Sequence, residues 1–323
     1  MTGCQHEVSA AVGSERKRGL RSWPHGRKPA SRSCPTIENS ARPPGEFVRS
    51  GLIPQTAATA GDSFAQLRRT VMSLPTDLGT ETNSRNRLLI QRLGHASCAL
   101  ELLNQVLTDD NLLGEIAARS YRHTNHFDKI VLVGSDNPVS YRLTLHLWMP
   151  PYTAAELSDE LIHDHRFSFW SAILAGTLIS ENFKRSHAGT RFRQYRYVPE
   201  LRSQTFQDIY EFAGEATLAK SGVSSREAGE SYYLPAPSIH RVVLPAANLT
   251  CSLVLRGPRL RNFSTVFNTA YPGTDVRYAN AMFSTRTLSI KIAAIADALR
   301  KTSNGPAPPL PLTATVPATE TAP

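Results

Sequence analysis

Two histidines separated by one residue, His163-Asp164-His165, carry the clearest chemistry in this chain. In an extended strand, residues i and i+2 point to the same face. Both imidazoles can therefore reach one ion while Asp164 points away. Neutral imidazole is a common ligand for divalent first-row metals. Two arginines lie at spacings that let them join such a site. Arg142 shares a strand face with Thr144, His146 and Trp148, and the opposite face carries Tyr141, Leu143, Leu145 and Leu147. Arg256 follows Ser252 and Val254 at the same two-residue spacing. An inward guanidinium can take a carboxylate through two parallel hydrogen bonds. A buried arginine without an anion is costly. Inward Arg142 and Arg256 thus predict an anionic substrate or, for Arg256, a carboxylate partner.

The other polar candidates read as structural. His123 and His126 form an HxxH after a helix and are expected to be satisfied there. His187 sits in a Ser/Gly turn and is read as solvated. Glu181, the first acid after Gly176, is a minor ligand candidate. Tyr232 and Tyr233 read as strand packing, and Cys251 as a small core residue. The basic-aromatic alternation of Arg191–Tyr197 reads as an edge strand kept soluble by charge. No Walker loop, GxGxxG or GxSxG is present, so nothing points to a phosphate-cradling loop or a serine nucleophile.

Positioning these residues requires a change of periodicity along the chain. Phe64, Leu67, Val71 and Leu74 repeat at helical spacing, with Ser63 and Gln66 able to form a capping box, until Pro75 ends the helix. Ala96–Leu107 predicts a second helix, and a third runs from Asp110 as N-cap to about Tyr121. From Phe127 the pattern alternates instead. Lys129–Val133, Val139–Met149, Arg166–Leu174, Thr177–Phe183, Arg191–Val198, Phe206–Phe212, Ser231–Leu234, His240–Leu244, Leu249–Arg256 and Phe263–Phe267 read as strands, punctuated by Gly and Pro. Many short strands at this spacing predict an all-β barrel or sandwich. Leu288, Ile292, Ile295 and Leu299 predict one closing helix. The organisation expected is a disordered basic tail over 1–60, a single domain over 61–302 and a second disordered tail over 303–323. Within the domain, a helical part spans 61–126, a barrel 127–270 and the closing helix 286–302.

A second segment extends the histidine pair. Gly229 is followed by five residues, then Pro235, and His240 falls five positions after that proline. This resembles the second motif of the cupin superfamily. Its first motif is an HxH, then a glutamate, then a closing glycine, which Gly176 matches. Phe169 or Trp170 stands at the glutamate position, and the motif's leading Gly is Leu157 here. The second motif's later Gly is Pro237 and its terminal Asn is Leu244. Loss of the glutamate resembles the three-histidine cysteine (thiol) dioxygenase-like branch, over roughly residues 127–267. The resemblance implies a mainly β, jelly-roll barrel with an N-terminal helical segment and a C-terminal helix. It implies His163, His165 and His240 as metal ligands and Arg142 as a carboxylate-binding residue. Arg256 stands where that branch keeps a tyrosine and Val254 where it keeps a histidine, so cysteine itself is not the expected substrate.

Three imidazoles without a carboxylate leave up to three open positions on an octahedral ion, room for a chelating substrate and O₂. Iron(II) is the first expectation, and zinc, manganese, nickel or copper also suit three imidazoles. The expected function is a non-haem iron dioxygenase acting on a small, anionic organic substrate. A non-redox metal isomerase, lyase or hydrolase, and a non-catalytic small-molecule-binding protein, stay open as alternatives.

Composition narrows the setting. The chain has 323 residues and a formal charge of +9. Residues 1–50 hold nine Lys/Arg against four Glu, so more than half of that excess lies in a segment rich in Ser, Pro, Gly and Arg. The remainder is ordinary for a soluble domain, which disfavours a nucleic-acid partner. No apolar run approaches the ~20 residues of a membrane helix, and no apolar stretch follows the basic N-terminus to make a secretory signal. Four cysteines, at 4, 34, 98 and 251, form no CxxC pair, which fits a reducing cytoplasm.

Overall fold

A computed structural model describes residues 60–303, except 136, 138, 139, 203, 204 and 271–275. The expected tails lie outside these residues, apart from the helix ends Ala60 and Ser303. Four helices lead: α1 (Ala60–Met72), α2 (Thr80–Leu93), α3 (Ala96–Thr108) and α4 (Asp110–Ala117). Strands β1 (Tyr121–Arg122), β2 (Asp128–Val133) and β3 (Arg142–Trp148) follow, then a short helix α5 (Ala154–Ser158). The chain continues through β4 (Ile162–His163), β5 (Phe169–Ala175), β6 (Thr177–Arg202), β7 (Thr205–Glu227), β8 (Ser231–Leu234) and β9 (Ile239–Val243). Strands β10 (Thr250–Arg256), β11 (Ser264–Asn268) and β12 (Val276–Ala281) precede the last helix, α6 (Thr285–Ser303).

The fold is mainly β, and its strands make two six-stranded antiparallel sheets rather than a closed barrel. One runs β1-β2-β3-β10-β5-β8, the other β11-β4-β9-β6-β7-β12. Among the described residues, a single bridge between Tyr121 and Met282 links the β1 edge to the segment after β12. Gly176 carries the chain from the first sheet to the second at φ +73°, where a Cβ would run into the Leu249 carbonyl. Only glycine takes such a conformation without strain.

The first sheet is buried on both faces, and strand alternation sorts its residues. Leu143, Leu145 and Leu147 of β3 join Ile130, Leu132, Leu253, Leu255 and Trp170 in one core. Residues from α1 to α4 and from α6 complete that core, including Val71, Ile90, Leu103, Ile116 and Ile295. The other face of the same strands, with Lys129, Arg142, Thr144, His146, Val254 and Arg256, lines a cavity. Apolar residues thus anchor each strand against the helices, at about 1.5–3 kcal/mol per fully buried large side chain. Their alternate neighbours are thereby fixed toward the second sheet.

Several local expectations need correction. Helix α2 is not signalled by an apolar stripe, because it buries Thr82, Asn86 and Ile90. Its polar side chains are used instead: Asn86 Nδ2 donates to Tyr141 Oη at 3.1 Å, and Trp170 Nε1 donates to Asn83 Oδ1 at 2.6 Å. The cap of α4 is Asp109, which accepts from the backbone of Asn111 and Leu112, and not Asp110. Helix α4 stops at Ala117 rather than near Tyr121, which is already strand. Ser63 lies inside α1, which begins at Ala60, and not at the N-cap position expected. Arg191–Tyr197 is no edge: it belongs to one long strand, β6, paired with β7 on one side and β11 on the other.

Candidate metal centre

His163 and His240 are directly opposed in the β4–β9 pair, the one backbone register that joins these strands. His165 lies just past the end of β4, not within a long strand. It stays extended because Asp164 N donates to Thr265 O and His165 N donates to Ala236 O, each at 2.9 Å. Asp164 turns from the histidines. Its buried carboxylate accepts from Thr265 N and pairs with Arg261 at 2.5 Å. The HxH segment is therefore stitched to β11 on one side and to the β8–β9 turn on the other.

The three imidazoles converge. One ring nitrogen from each lies within 4.8 Å of the others, and the ring centroids are 4.8–5.1 Å apart. Tetrahedral or octahedral coordination at ~2 Å metal–nitrogen distance places ligand nitrogens ~3 Å apart, so a small inward adjustment of the rings suffices. Burial holds His163 below its ordinary pKa and holds His165 and His240 well below it. Each ring is therefore the neutral, metal-binding form at pH 7. His165 Nδ1 and His240 Nε2 are buried with no hydrogen-bond partner. Buried polar atoms are ordinarily satisfied, and a cation among the three rings would use these lone pairs. The site fits a metal on that ground.

His163 shows how the surrounding backbone sets a ligand. Its Nδ1 lies 2.8 Å from Leu161 O, so Nδ1–H donates there and leaves Nε2 for the ion. Leu161 has φ +54°, a left-handed conformation that a leucine adopts at some cost. That turn aims the carbonyl at the ring. Among the described residues, no carboxylate joins the three histidines. Phe169 takes the glutamate position of the resembled motif and packs against His165 at 5.0 Å, while Trp170 points into the helical core.

The histidines open onto a cavity of about 560 Å³ between the sheets. Arg142 and Arg256 both line it and are paired in register across β3 and β10. Arg142 Nη2 donates to Ser135 O at 2.9 Å, and Arg256 Nη2 donates to Ser140 O at 2.5 Å. Arg256 is 4% exposed, and its Cζ lies 5.1 Å from the centroid of Phe167. The His165 ring is 5.7 Å from that same phenyl ring, so Phe167 separates the arginine from the ligand cluster. Burial, with Arg142, Arg259 and Arg166 nearby, lowers Arg256 to about 8.

The remaining candidates fall elsewhere. Glu181 pairs with Lys220 and Arg241 and is not a ligand. His126 bonds Asp159 at 2.7 Å, but its expected partner His123 lines the cavity. Tyr232 also lines the cavity, and Cys251 is buried in the core with its thiol pKa pushed up by burial. Lys129, His146, Arg166 and Arg259 also line the cavity, and no role there is expected for them from the sequence. Two had a usable signal. His146 shares the strand face of Arg142, and Lys129 is the one charge in the expected Lys129–Val133 strand. Arg166 opens the expected Arg166–Leu174 strand, but β5 begins only at Phe169, so that periodicity does not aim it, and Arg259 follows the end of β10.

No protein-family model matches this chain, and no curated protein matches it. Among solved structures, it is similar to a chain from crystal structures of the DMSP lyases RdDddP and RnDddQII, at 15% identity and a TM-score of 0.25. The likeness covers 45% of this chain and 60% of that one. Among the described residues, no helix is long and apolar enough to cross a membrane.

Proposed function

We propose that this chain is a cupin-type metalloenzyme whose cavity turns over a small anionic organic molecule, as a non-haem iron(II) dioxygenase. The observation that carries the reading is the cluster of three neutral histidines, His240 buried and His163 and His165 half-buried, two of them with unsatisfied nitrogens, opening onto a cavity walled by arginine. His163, His165 and His240 would hold the ion. An iron(II) ion there would supply O₂ activation and acidify a coordinated donor group. Arg142 and Arg256 would hold the anionic end of the substrate by charge-assisted hydrogen bonds. Phe127, Phe169 and Trp148 would exclude water around it. The Leu161 carbonyl would keep the His163 proton on Nδ1 through the cycle.

A non-redox reading, as an isomerase or lyase, is favoured by one observation. His146 lines the same cavity, is held neutral by burial, and contacts Thr144 Oγ1 at 3.3 Å. It is a base placed beside the ligand cluster but outside it.

The test is O₂ uptake by iron-loaded protein across a panel of small carboxylic acids and thiols, with Arg142→Met and Arg256→Met alongside. The dioxygenase reading expects uptake with an anionic substrate, reduced in both variants. Turnover of an acid without O₂ consumption supports the non-redox reading instead. Full activity in both variants rejects the arginines' role.

A further inference from the structure

The cavity carries more positive charge than one carboxylate can answer. Lys129, Arg166, Arg256 and Arg259 all line it, and among the described residues none of the four has an ion-pair partner. Asp164, the acidic residue among those lining the cavity, has its carboxylate already taken by Arg261 and Thr265 N. Removing a charge from water without pairing it is strongly unfavourable. A bound divalent metal would add to the same sign.

We infer that the ligand of this cavity is a small molecule with at least two anionic groups, one seated on Arg256 with Arg142 and Arg259 beside it and the other reaching Lys129. The inference rests on the proposed reading that this cavity binds the substrate, and it names the substrate's class.

Geometry separates the two positions. Arg256 lies opposite Arg142, whereas Lys129 lies opposite His146. Arg142 and His146 are four residues apart on one strand, about 13 Å of backbone. The two cations are thus rooted at separate points along the cavity wall, and each offers its own seat for an anionic group. Each is also prepared for an acceptor. Arg256 is held by Ser140 O on one nitrogen and stacked on Phe167, yet its buried Nε has no partner. Arg259 Nε is likewise buried and unpartnered. The Lys129 ammonium faces the ring of Tyr121 at 6.0 Å and has no ion-pair partner among the described residues. Burial and the neighbouring arginines bring Lys129 down to about 7 and Arg256 to about 8. A nearby anion favours the protonated form of both. The shared chemistry is that of a dicarboxylate or a phosphorylated acid, and 560 Å³ accommodates either.

The experiment is titration calorimetry on the full-length protein, as purified and again after chelator treatment, with metal content measured on both samples. The probes are acetate, succinate, phosphoglycolate and sulfate. Succinate or phosphoglycolate should bind at least about tenfold tighter than acetate, and the stronger of the two identifies the source of the second charge. Tight binding of sulfate alone would mean a compact divalent anion at one centre and would overturn the two-centre ligand. Lys129→Met should bring dianion affinity down to that of acetate while leaving acetate binding nearly unchanged. Arg256→Met should weaken all probes. If Arg256→Met does not fold, Arg259→Met and Lys129→Met decide. Equal affinity for acetate and the dianions, no binding of any dianion, or unchanged dianion binding in Lys129→Met would overturn the inference. Because chelated protein is included, loss of metal and loss of anion binding are read separately. Protein that binds no metal but prefers dianions removes the metalloenzyme reading and keeps the ligand class.

Discussion

Replacing Asp164 separates the scaffold of the histidine segment from the histidines themselves. The carboxylate is 6% exposed and accepts the backbone N–H of Thr265, itself 5% exposed. In Asp164→Ala that N–H is buried with no acceptor, at a cost of about 1–3 kcal/mol. The second partner, Arg261, has a side chain 31% exposed. Its charge can rehydrate, so the lost ion pair adds only about 1 kcal/mol. The total is about 2–4 kcal/mol, or a fall of about 5–15 °C in Tm for a domain of this size. Asp164→Asn keeps an oxygen for Thr265 N and should lose only about 1 kcal/mol. Because Asp164 fixes the backbone between two ligands, the alanine variant should also bind metal about tenfold more weakly or worse. Urea unfolding of chelated protein gives the first quantity, and competition against a calibrated chelator gives the second. An alanine variant within 0.5 kcal/mol of the parent (about the scatter expected for a surface substitution) would refute the assignment. So would an asparagine variant as unstable as the alanine one.

Leu145→Ala, on the helix-facing side of β3, should cost about 2–5 kcal/mol in urea unfolding yet leave metal per folded chain unchanged. Metal loss without destabilisation would reverse the assigned faces. Gly176→Ala should destabilise by more than about 1 kcal/mol, because φ is +73° and the added methyl meets Leu249 O. A neutral or stabilising result would contradict the turn described. The metal-free protein should lose stability in acid. Burial depresses the folded-state pKa values of His123, His146, His163, His165 and His240, so below about 6.5 the unfolded chain binds more protons. Stability is fully present above that pH and falls as pH drops, by up to about 1.4 kcal/mol per pH unit for each histidine. Urea midpoints that hold constant from pH 8 to pH 5 would show that these rings are not buried neutral.

The site was legible where a pattern fixed direction. Alternation over β3 sorted Arg142 from Leu143, and the two motifs singled out His163, His165 and His240, which the fold brings together. The expected barrel was wrong in its closure, the strands forming two six-stranded sheets instead, because strand pairing depends on long-range register that periodicity does not carry. Helix α2 escaped notice because it docks through Asn83 and Asn86 rather than an apolar stripe. The long β6–β7 ribbon read as separate strands because Gly189 and Gly214 mark turns in sequence but lie within strands here. Arg166 and Arg259 were invisible as site residues for a simpler reason. They reach the cavity from loops, and only tertiary packing directs them there.

Everything proposed for the metal centre requires that His163, His165 and His240 hold a single divalent ion. Elemental analysis of purified wild type beside His240→Ala, with folded protein quantified in each, tests it most directly. The account predicts a divalent metal in the wild type approaching one ion per chain, and a sharp loss in the variant without comparable loss of fold. Iron in that position would carry the oxygenase reading and zinc the non-redox one. Equal metal content in the two proteins would contradict the centre itself.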